Sequence, residues 1–164
     1  MSGTTRDLSQ TKFLQLLGGD LLTQEAKVQQ WLAQGDVLRA ETPLRYPARR
    51  GPVVLFVEPS GTGAVRIHDG GGLLESLAEQ GMDLSVDMVL SKTVFHAVRQ
   101  QQRAGISQGR IYMDSSAAAL SRDVWRFLQL VAELLGLRYC KYKDALLQLA
   151  RNQEGPNSAA WEKW

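Results

Sequence analysis

The segment 64–77, AVRIHDGGGLLESL, constrains the fold more than any other part of this chain. Val65, Arg66, Ile67 and His68 alternate between apolar and polar side chains, which is the period of a strand with one buried face. Three glycines and the start of a leucine-containing helix follow. Because glycine adopts positive φ angles at little cost, the run is typical of a tight strand-to-helix turn. We expect Asp69, Gly70, Gly71 and Gly72 to form this turn, with the Asp69 carboxylate accepting hydrogen bonds from glycine N–H groups.

Three other segments have the composition of strands. Val53–Val57 is the clearest, because it is aliphatic, β-branched and aromatic and lies between turns that contain glycine and proline. Residues 37–44 and Arg110–Met113 are further candidates. The connections among the first strands are short, whereas a parallel pairing needs a crossover of about a dozen residues or more. We therefore expect a small antiparallel sheet of three or four strands.

Helical patterns precede and follow these strands. The N-terminal segment, residues 1–36, is expected to be helical and to end near Gly35, and Asp87 and Ser121 are expected to cap two later helices. The helix from Ser121 to Leu135 is strongly apolar and is expected to be the central buried helix. The fold class is α+β, with an α+β core domain at residues 37–151 and a flexible tail at residues 152–164. The expected core includes Trp125, Phe127, Leu128, Val131, Phe56, Val54, Ile67 and Ile111.

Composition excludes several classes of protein. The formal net charge is +2, and a dedicated nucleic-acid binder usually has a stronger and more clustered basic excess. With one cysteine, Cys140, and two histidines, an intrachain disulfide cannot form and a structural zinc site is not expected. No apolar run is long enough to span a bilayer, and the N-terminus lacks the pattern of a signal peptide. We expect a cytoplasmic protein that has no membrane contact and needs no cofactor.

Charge is segregated along the chain. Five arginines and two acids lie between Arg39 and Arg66, whereas five acids and no lysine or arginine lie between Asp69 and Asp87. Neighbouring basic and acidic faces suit an oriented contact with a partner or a head-to-tail contact between copies of the chain. The simpler alternative is that both faces are solvated. Two tryptophans at the end of the tail could anchor a partner or dock on the protein's own surface. The expected binding residues are Arg45, Arg49, Arg50, Arg66, Trp161 and Trp164.

A catalytic alternative depends on acids at strand ends. Glu41, Glu58 and Asp69 could hold a divalent metal through carboxylate oxygens and support a nuclease or another phosphoester hydrolase. The lysine that hairpin nucleases of this type need near the second acid is missing after Glu58. The glycine run lacks the spacing of a phosphate-binding loop, and the nearby acids would repel phosphate. Strand-end acids more often cap turns or helices, which favours a turn role for Asp69.

Several motifs follow one another in a recurring order. They are Thr42-Pro43, the strand Val53–Val57, the turn Ile67-His68-Asp69-Gly70-Gly71, the leucines Leu73, Leu74 and Leu77, and the apolar helix Val124–Leu135. This order resembles a domain family of unknown function found in bacterial and phage proteins, over about residues 40–150. That family often has two adjacent acids before the glycine, and this chain has His68 in place of the first. The resemblance implies a phage, prophage or mobile-element setting, in which small proteins often bind and block a host machine.

These observations favour a non-enzymatic interaction protein that modulates or inhibits a host protein complex, with a protein as its partner. Two alternatives stay open. One is the metal-dependent hydrolase described above, and the other is a nucleic-acid-binding regulator that uses the arginine-rich region between Arg39 and Arg66. The hydrolase predicts binding of a divalent metal. The regulator predicts an affinity that falls steeply with salt.

Overall fold

The computed structural model describes residues 3–13, 21–47 and 51–137, with the backbone alone for residues 21–26. Residues 10–13 are helical. The other elements, in chain order, are β1 (Thr5–Leu8), α1 (Leu21–Ala33), β2 (Val37–Arg45), β3 (Pro52–Gly61), β4 (Ala64–His68), α2 (Gly72–Glu79), α3 (Met88–Gln100), β5 (Ala104–Ser107), β6 (Arg110–Ser116), a 3-10 turn (Ala117–Ala119) and α4 (Leu120–Gly136). None of the helices in these described ranges has the length and apolar character that a membrane crossing requires.

The strands form one open, mixed sheet of six strands in the order β1-β2-β3-β4-β6-β5. Strands β2, β3 and β4 are the antiparallel meander that the short connections predict. Strand β6 pairs antiparallel with both β4 and β5, and β1 pairs parallel with β2. The α+β class is therefore confirmed, and the architecture is a single sheet with helices packed against it.

The expected number of three or four strands was too low, because β1 and β5 were not predicted. Each has only four residues, TRDL and AGIS, so neither contains enough alternation to distinguish a strand from a loop. The N-terminal segment, expected to be helical, therefore also contributes a strand. Side-chain bonds from Asp36 hold β1 in place: its two carboxylate oxygens accept hydrogen bonds from the backbone N–H of Thr4 and from Nε of Arg6, both at 2.9 Å.

One face of the sheet forms the core. Its alternate residues are at most 6% exposed, and helix α1 packs against β2 and β3, whereas α2 and α4 pack against β6. The residues on this face are Leu38, Ala40, Thr42, Val53, Leu55, Val57, Val65, Ile67, Ile111, Met113 and Ser115. The opposite face, which we call the open face, presents Arg39, Phe56, Glu58, Arg66, His68, Tyr112 and Asp114.

Helix α4 supplies the apolar stripe that its sequence predicts, with Phe127 and Val131 fully buried. The prediction that Trp125 lies in the core is wrong. Its side chain is 47% exposed, because it lies outside the apolar stripe of α4. Val54 and Phe56 were also expected in the core, and they lie half-buried on the open face. In a strand that is apolar at every position, the sequence cannot show which face is buried, because the period of two has no polar phase.

Helix starts agree with the sequence in one case and differ in the other. Asp87 caps α3, and its carboxylate accepts the N–H of Leu90 at 2.9 Å. Ser121 does not cap α4, because the 3-10 turn begins the helical segment earlier and Ser116 accepts the N–H of Ala119 instead. The chain therefore passes directly from β6 into α4, which places the helix over the strand that it packs against.

Candidate functional site

The Asp69 carboxylate organises the turn at the end of β4. Its Oδ1 accepts the backbone N–H groups of Gly71 and Ile111 at 3.0 and 3.1 Å, and its Oδ2 accepts that of Leu73 at 2.9 Å. Asp69 is 3% exposed. Both oxygens are thus directed at backbone donors, so the carboxylate closes the turn, begins α2 and fastens both to β6.

The three glycines of this turn are needed for two different reasons. Gly70 and Gly71 have φ angles of 68° and 89°, which side chains rarely tolerate. Space is the second reason: a Cβ on Gly70 would lie 2.8 Å from Cε2 of Phe56, and a Cβ on Gly72 would collide with the hydroxyl of Tyr46. The glycines therefore set the backbone and also leave room for aromatic rings.

Aromatic side chains on the open face repeat this arrangement. Tyr112 lies over Gly105, where a Cβ would be 2.6 Å from the tyrosine hydroxyl oxygen. Rings that pack against glycines in this way lose freedom to move, and the close approach of the backbone protects part of each ring from water. The open face therefore presents rings held in fixed positions.

A continuous row of side chains crosses the open face. Arg39, Phe56, His68 and Tyr112 stand opposite one another on β2, β3, β4 and β6. The rings of Phe56 and His68 are stacked, with centroids 5.1 Å apart and planes 10° from parallel. We call these four residues the central row, because they lie at successive positions across the middle strands.

His68 is 4% exposed, and both of its ring nitrogens lie next to groups of the protein. Its Nδ1 accepts the N–H of Gly70 at 3.0 Å, which assigns the proton of the neutral ring to Nε2. Nε2 lies 3.0 Å from Oε1 of Glu58, although it makes no hydrogen bond among the described residues. The ring is therefore held by Gly70 on one side and lies against Glu58 on the other.

Two arginines lie on the open face, Arg39 within the central row and Arg66 beside it, and each has an acidic partner. Arg66 donates two hydrogen bonds to Asp114, at 2.7 and 3.1 Å, and its guanidinium carbon lies 4.0 Å from the centroid of the Tyr112 ring. The hydrogen bond to Asp114 raises the pKa of Arg66. Arg39 donates to Asp7 at 3.4 Å. The open face is therefore aromatic at its centre and has charges of both signs around it.

The acids proposed for metal-dependent hydrolysis do not come together. Glu41 stands opposite Val54, four residues along β3 from Glu58, which is about 13 Å at the rise of a strand. Glu58 contacts His68, and Asp69 bonds backbone N–H groups. Among the described residues, no group of three or more histidine, cysteine, aspartate or glutamate side chains is arranged to hold a metal ion.

The residues expected to bind a partner are spread over several places. Arg66 lies on the open face, and Arg45 is exposed at the end of β2, opposite Pro52. Arg49, Arg50, Trp161 and Trp164 lie outside the described residues, as do Cys140 and the tail at 152–164. Tyr46 and Tyr112 were not among the residues expected to bind, and Phe56 was expected in the core. The sequence feature related to these rings is a set of glycines, because each ring occupies the space that a side chain at the glycine would fill.

A shallow, open cavity of about 250 Å³ lies where the open face meets the glycine turn. Aromatic and aliphatic side chains share its walls with two acids and two glycines. The described residues that line it are Tyr46, Pro52, Val54, Phe56, Asp69, Gly70, Gly72 and Glu75. We call it the turn pocket.

Comparison with known proteins gives no relative from which to transfer a role. No protein-family model matches the chain. No curated protein and no solved structure matches it either.

Proposed function

We propose that this protein is a non-enzymatic interaction module that binds a protein partner on the open face of its sheet. The observation that supports this function is the central row with its neighbour Arg66, which together place two aromatic rings, a histidine and two arginines on the sheet face opposite to the core. Aromatic residues and arginine are enriched in protein–protein interfaces, where they supply most of the binding energy. A phage or mobile-element setting depends on the sequence resemblance alone.

A catalytic role has weaker support. The oxygens of Asp69 accept three backbone N–H groups, and both nitrogens of His68 face groups of the protein itself. A general acid or base must reach the proton that it transfers. The acids that could have held a metal are separated along the sheet. The chemically active side chains of this region therefore serve the turn and the sheet.

A protein partner is favoured over a nucleic acid because of the charges. Binding to nucleic acid depends on cations that can neutralise phosphates. On the open face Arg66 and Arg39 each contact an acid, and Glu58 is a third acid beside them. A phosphate would have to displace these acids, whereas a protein surface with charges of both signs could complement them.

The test is photo-crosslinking from two matched positions. Tyr112 on the open face and Trp125 on α4 are both aromatic, and each is replaced in turn by p-benzoylphenylalanine in the full-length protein in its host cells. We expect a discrete protein adduct from position 112 and none of the same mass from position 125. Adducts from position 125 alone, or adducts with nucleic acid at position 112, would overturn the proposed function.

A further inference from the structure

The two edges of the sheet differ in charge. Strand β1 is one edge, and its Arg6 and Asp7 are charged residues that pair with Asp36 and Arg39. Charged side chains on an edge oppose the addition of another strand. Strand β5, with the sequence AGIS, is the other edge and contains neither a charged residue nor a proline. Within the described part of the sheet, β5 is therefore the edge that favours a further strand.

The backbone of Ile106 faces away from the sheet. The N–H of Asp114 donates to the carbonyl oxygen of Arg103 at 2.9 Å, and bonded pairs alternate with unbonded pairs along an antiparallel ladder. Because β5 and β6 keep one register, Gly105 and Ser107 are the next residues that bond to β6. The N–H and the carbonyl oxygen of Ile106 therefore point outward, where none of the described strands lies. Such a residue can exchange two hydrogen bonds with one residue of an added antiparallel strand.

We propose that two copies of this chain pair through their β5 strands, antiparallel and around a two-fold axis at Ile106. In this register each Ile106 donates its N–H to the Ile106 carbonyl oxygen of the other copy. Two six-stranded sheets thereby become one continuous sheet. A contact of this symmetry closes on itself, so the assembly stops at a dimer. The proposal goes beyond the proposed function, because it concerns the edge of the sheet and not the partner of the open face.

The side chains of β5 complement a second β5 on both faces of the sheet. Ile106 belongs to the core face and is half-buried, and in the dimer it lies opposite another Ile106, so each covers apolar surface of the other. On the open face, Gly105 lies opposite Ser107 of the other copy. The hydroxyl of Tyr112 lies over Gly105, which places it next to that serine hydroxyl. The two-fold axis repeats the contact between Tyr112 and Ser107.

A second copy is favoured over a foreign peptide because its strand is already formed. Strand β5 is held in a hairpin with β6, and the turn residues Gln108 and Gly109 have the positive φ angles of a tight hairpin, 53° and 72°. An unstructured peptide loses conformational freedom when it becomes a strand, whereas a preformed strand has lost it already.

The test is self-association of the full-length protein, with a lysine placed on each edge in turn. Ser107→Lys puts a charge on β5 beside the axis. Thr5→Lys is the matched control, because Thr5 is an exposed residue on the charged edge β1. The contact is smaller than a standard interface, so we expect wild type to dimerise weakly, with a Kd between about 10 μM and about 1 mM.

Sedimentation equilibrium measures this Kd for the three proteins. We expect Thr5→Lys to dimerise as wild type does and Ser107→Lys to raise the Kd at least tenfold. A wild type that stays monomeric up to about 1 mM, or a dimer that Ser107→Lys leaves intact, would overturn the proposal.

Amide exchange identifies the paired edge without a mutation. Exchange at Ile106 should slow as the protein concentration rises, by about threefold when two thirds of the chains are paired. Exchange at Gly105 and Ser107 should not change, because their N–H groups already bond to β6. Slow exchange at Ile106 that does not depend on concentration would contradict the proposal, because the chain itself would then cover β5. A dimer that leaves exchange at Ile106 unchanged would contradict it as well.

The two proposals fail in different ways. Because Tyr112 lies near the dimer contact, a crosslinked adduct from position 112 with twice the mass of the chain reports the pairing of β5 and should disappear in Ser107→Lys. An adduct with a different protein reports the open face. A monomer that still gives the second adduct refutes only the pairing, whereas a dimer that gives only the first refutes only the proposed function.

Discussion

Asp69 and Ile111 are joined by two hydrogen bonds, one in each direction, across 42 residues of sequence. The N–H of Ile111 donates to Oδ1 of Asp69 at 3.1 Å, and the N–H of Asp69 donates to the carbonyl oxygen of Ile111 at 3.3 Å. Because Oδ1 also accepts the N–H of Gly71, one carboxylate holds the turn, the start of α2 and strand β6 together. The turn is therefore tied to the sheet by hydrogen bonds that do not depend on its own local backbone.

The replacement Asp69→Asn tests whether both oxygens act as acceptors. An asparagine presents an NH₂ group to one of the three buried N–H donors, and an unsatisfied buried donor costs about 1–3 kcal/mol. We expect the free energy of unfolding to fall by about 2 kcal/mol, measured by urea denaturation. The control is Asp83→Asn, at a partly exposed position where the retained oxygen can still accept from Ser85; it should lower stability much less than Asp69→Asn does. Equal effects of the two variants would contradict the role of Asp69.

The local part of this turn could be predicted from sequence, and the long-range part could not. Three glycines after an acid indicate positive φ angles and bonds from nearby N–H groups, and these are local preferences. The bond from Ile111 and the rings of Phe56 and Tyr46 against the glycines depend on which strands become neighbours. That information lies in the register of the sheet, and no local pattern encodes it.

The same limit explains how the open face was missed. The sequence placed Phe56 in a strand, but an apolar residue in an all-apolar strand gives no indication of its face. Tyr112 and Arg66 lie in different strands 46 residues apart, and their contact follows from the β4–β6 register. The class of fold and the glycine turn could therefore be predicted from the sequence. Which side chains meet on the open face could be seen only in the folded structure.

Gly72→Ala tests the packing of Tyr46 on the turn. Alanine normally favours a helix over glycine by up to about 1 kcal/mol, but here a Cβ would collide with the Tyr46 hydroxyl. Overpacking of this kind costs about 1–3 kcal/mol, so we expect a net loss of stability of about 1–2 kcal/mol in thermal or urea unfolding.

The matched control for this prediction is Gly136→Ala at the end of α4. A Cβ at Gly136 meets nothing within 4 Å, so alanine there should be neutral or stabilising. A Gly72→Ala variant as stable as wild type would show that Tyr46 moves aside at no cost, and the pocket would then not be rigid.

The Arg6–Asp36 contact makes stability depend on pH. The hydrogen bond from Arg6 is the largest of the causes that lower the pKa of Asp36 below its usual value. A carboxyl whose pKa is lower in the folded state stabilises the fold above its unfolded pKa of about 3.9, and this stabilisation is lost as pH falls through the folded value. We expect Asp36→Asn to be less stable than wild type at pH 7, with a difference that shrinks below about pH 4. Urea midpoints at pH 7, 4 and 2.5 measure this difference.

Amide exchange near β1 shows whether the pH-dependent stabilisation by Asp36 acts on this strand. The carbonyl oxygen of Thr4, the residue before β1, accepts the N–H of Val37 at 3.1 Å, so loosening of β1 should increase amide exchange of Val37 in the Asp36→Asn variant. Asp7→Asn is the control, because Asp7 lies on the same strand with a side chain that is 70% exposed. If Asp7→Asn reproduced the pH-dependent loss, the effect would be a general one of charge near β1.

Arg66→Lys separates binding from stability on the open face. Lysine keeps the charge but loses the two-pronged bond to Asp114 and the planar contact with the Tyr112 ring. Since both members of the ion pair are about 40% exposed, the cost in stability should stay within about 1 kcal/mol. Affinity for the partner identified by crosslinking should fall at least tenfold in calorimetric titration, because the guanidinium and the ring both lie in the proposed interface.

The matched control is Arg122→Lys on α4, where the arginine contacts Asp123 at 3.2 Å. This variant should bind the partner as wild type does. Equal affinities of the two lysine variants would show that the partner does not use Arg66, and the interface would then have to lie elsewhere on the protein.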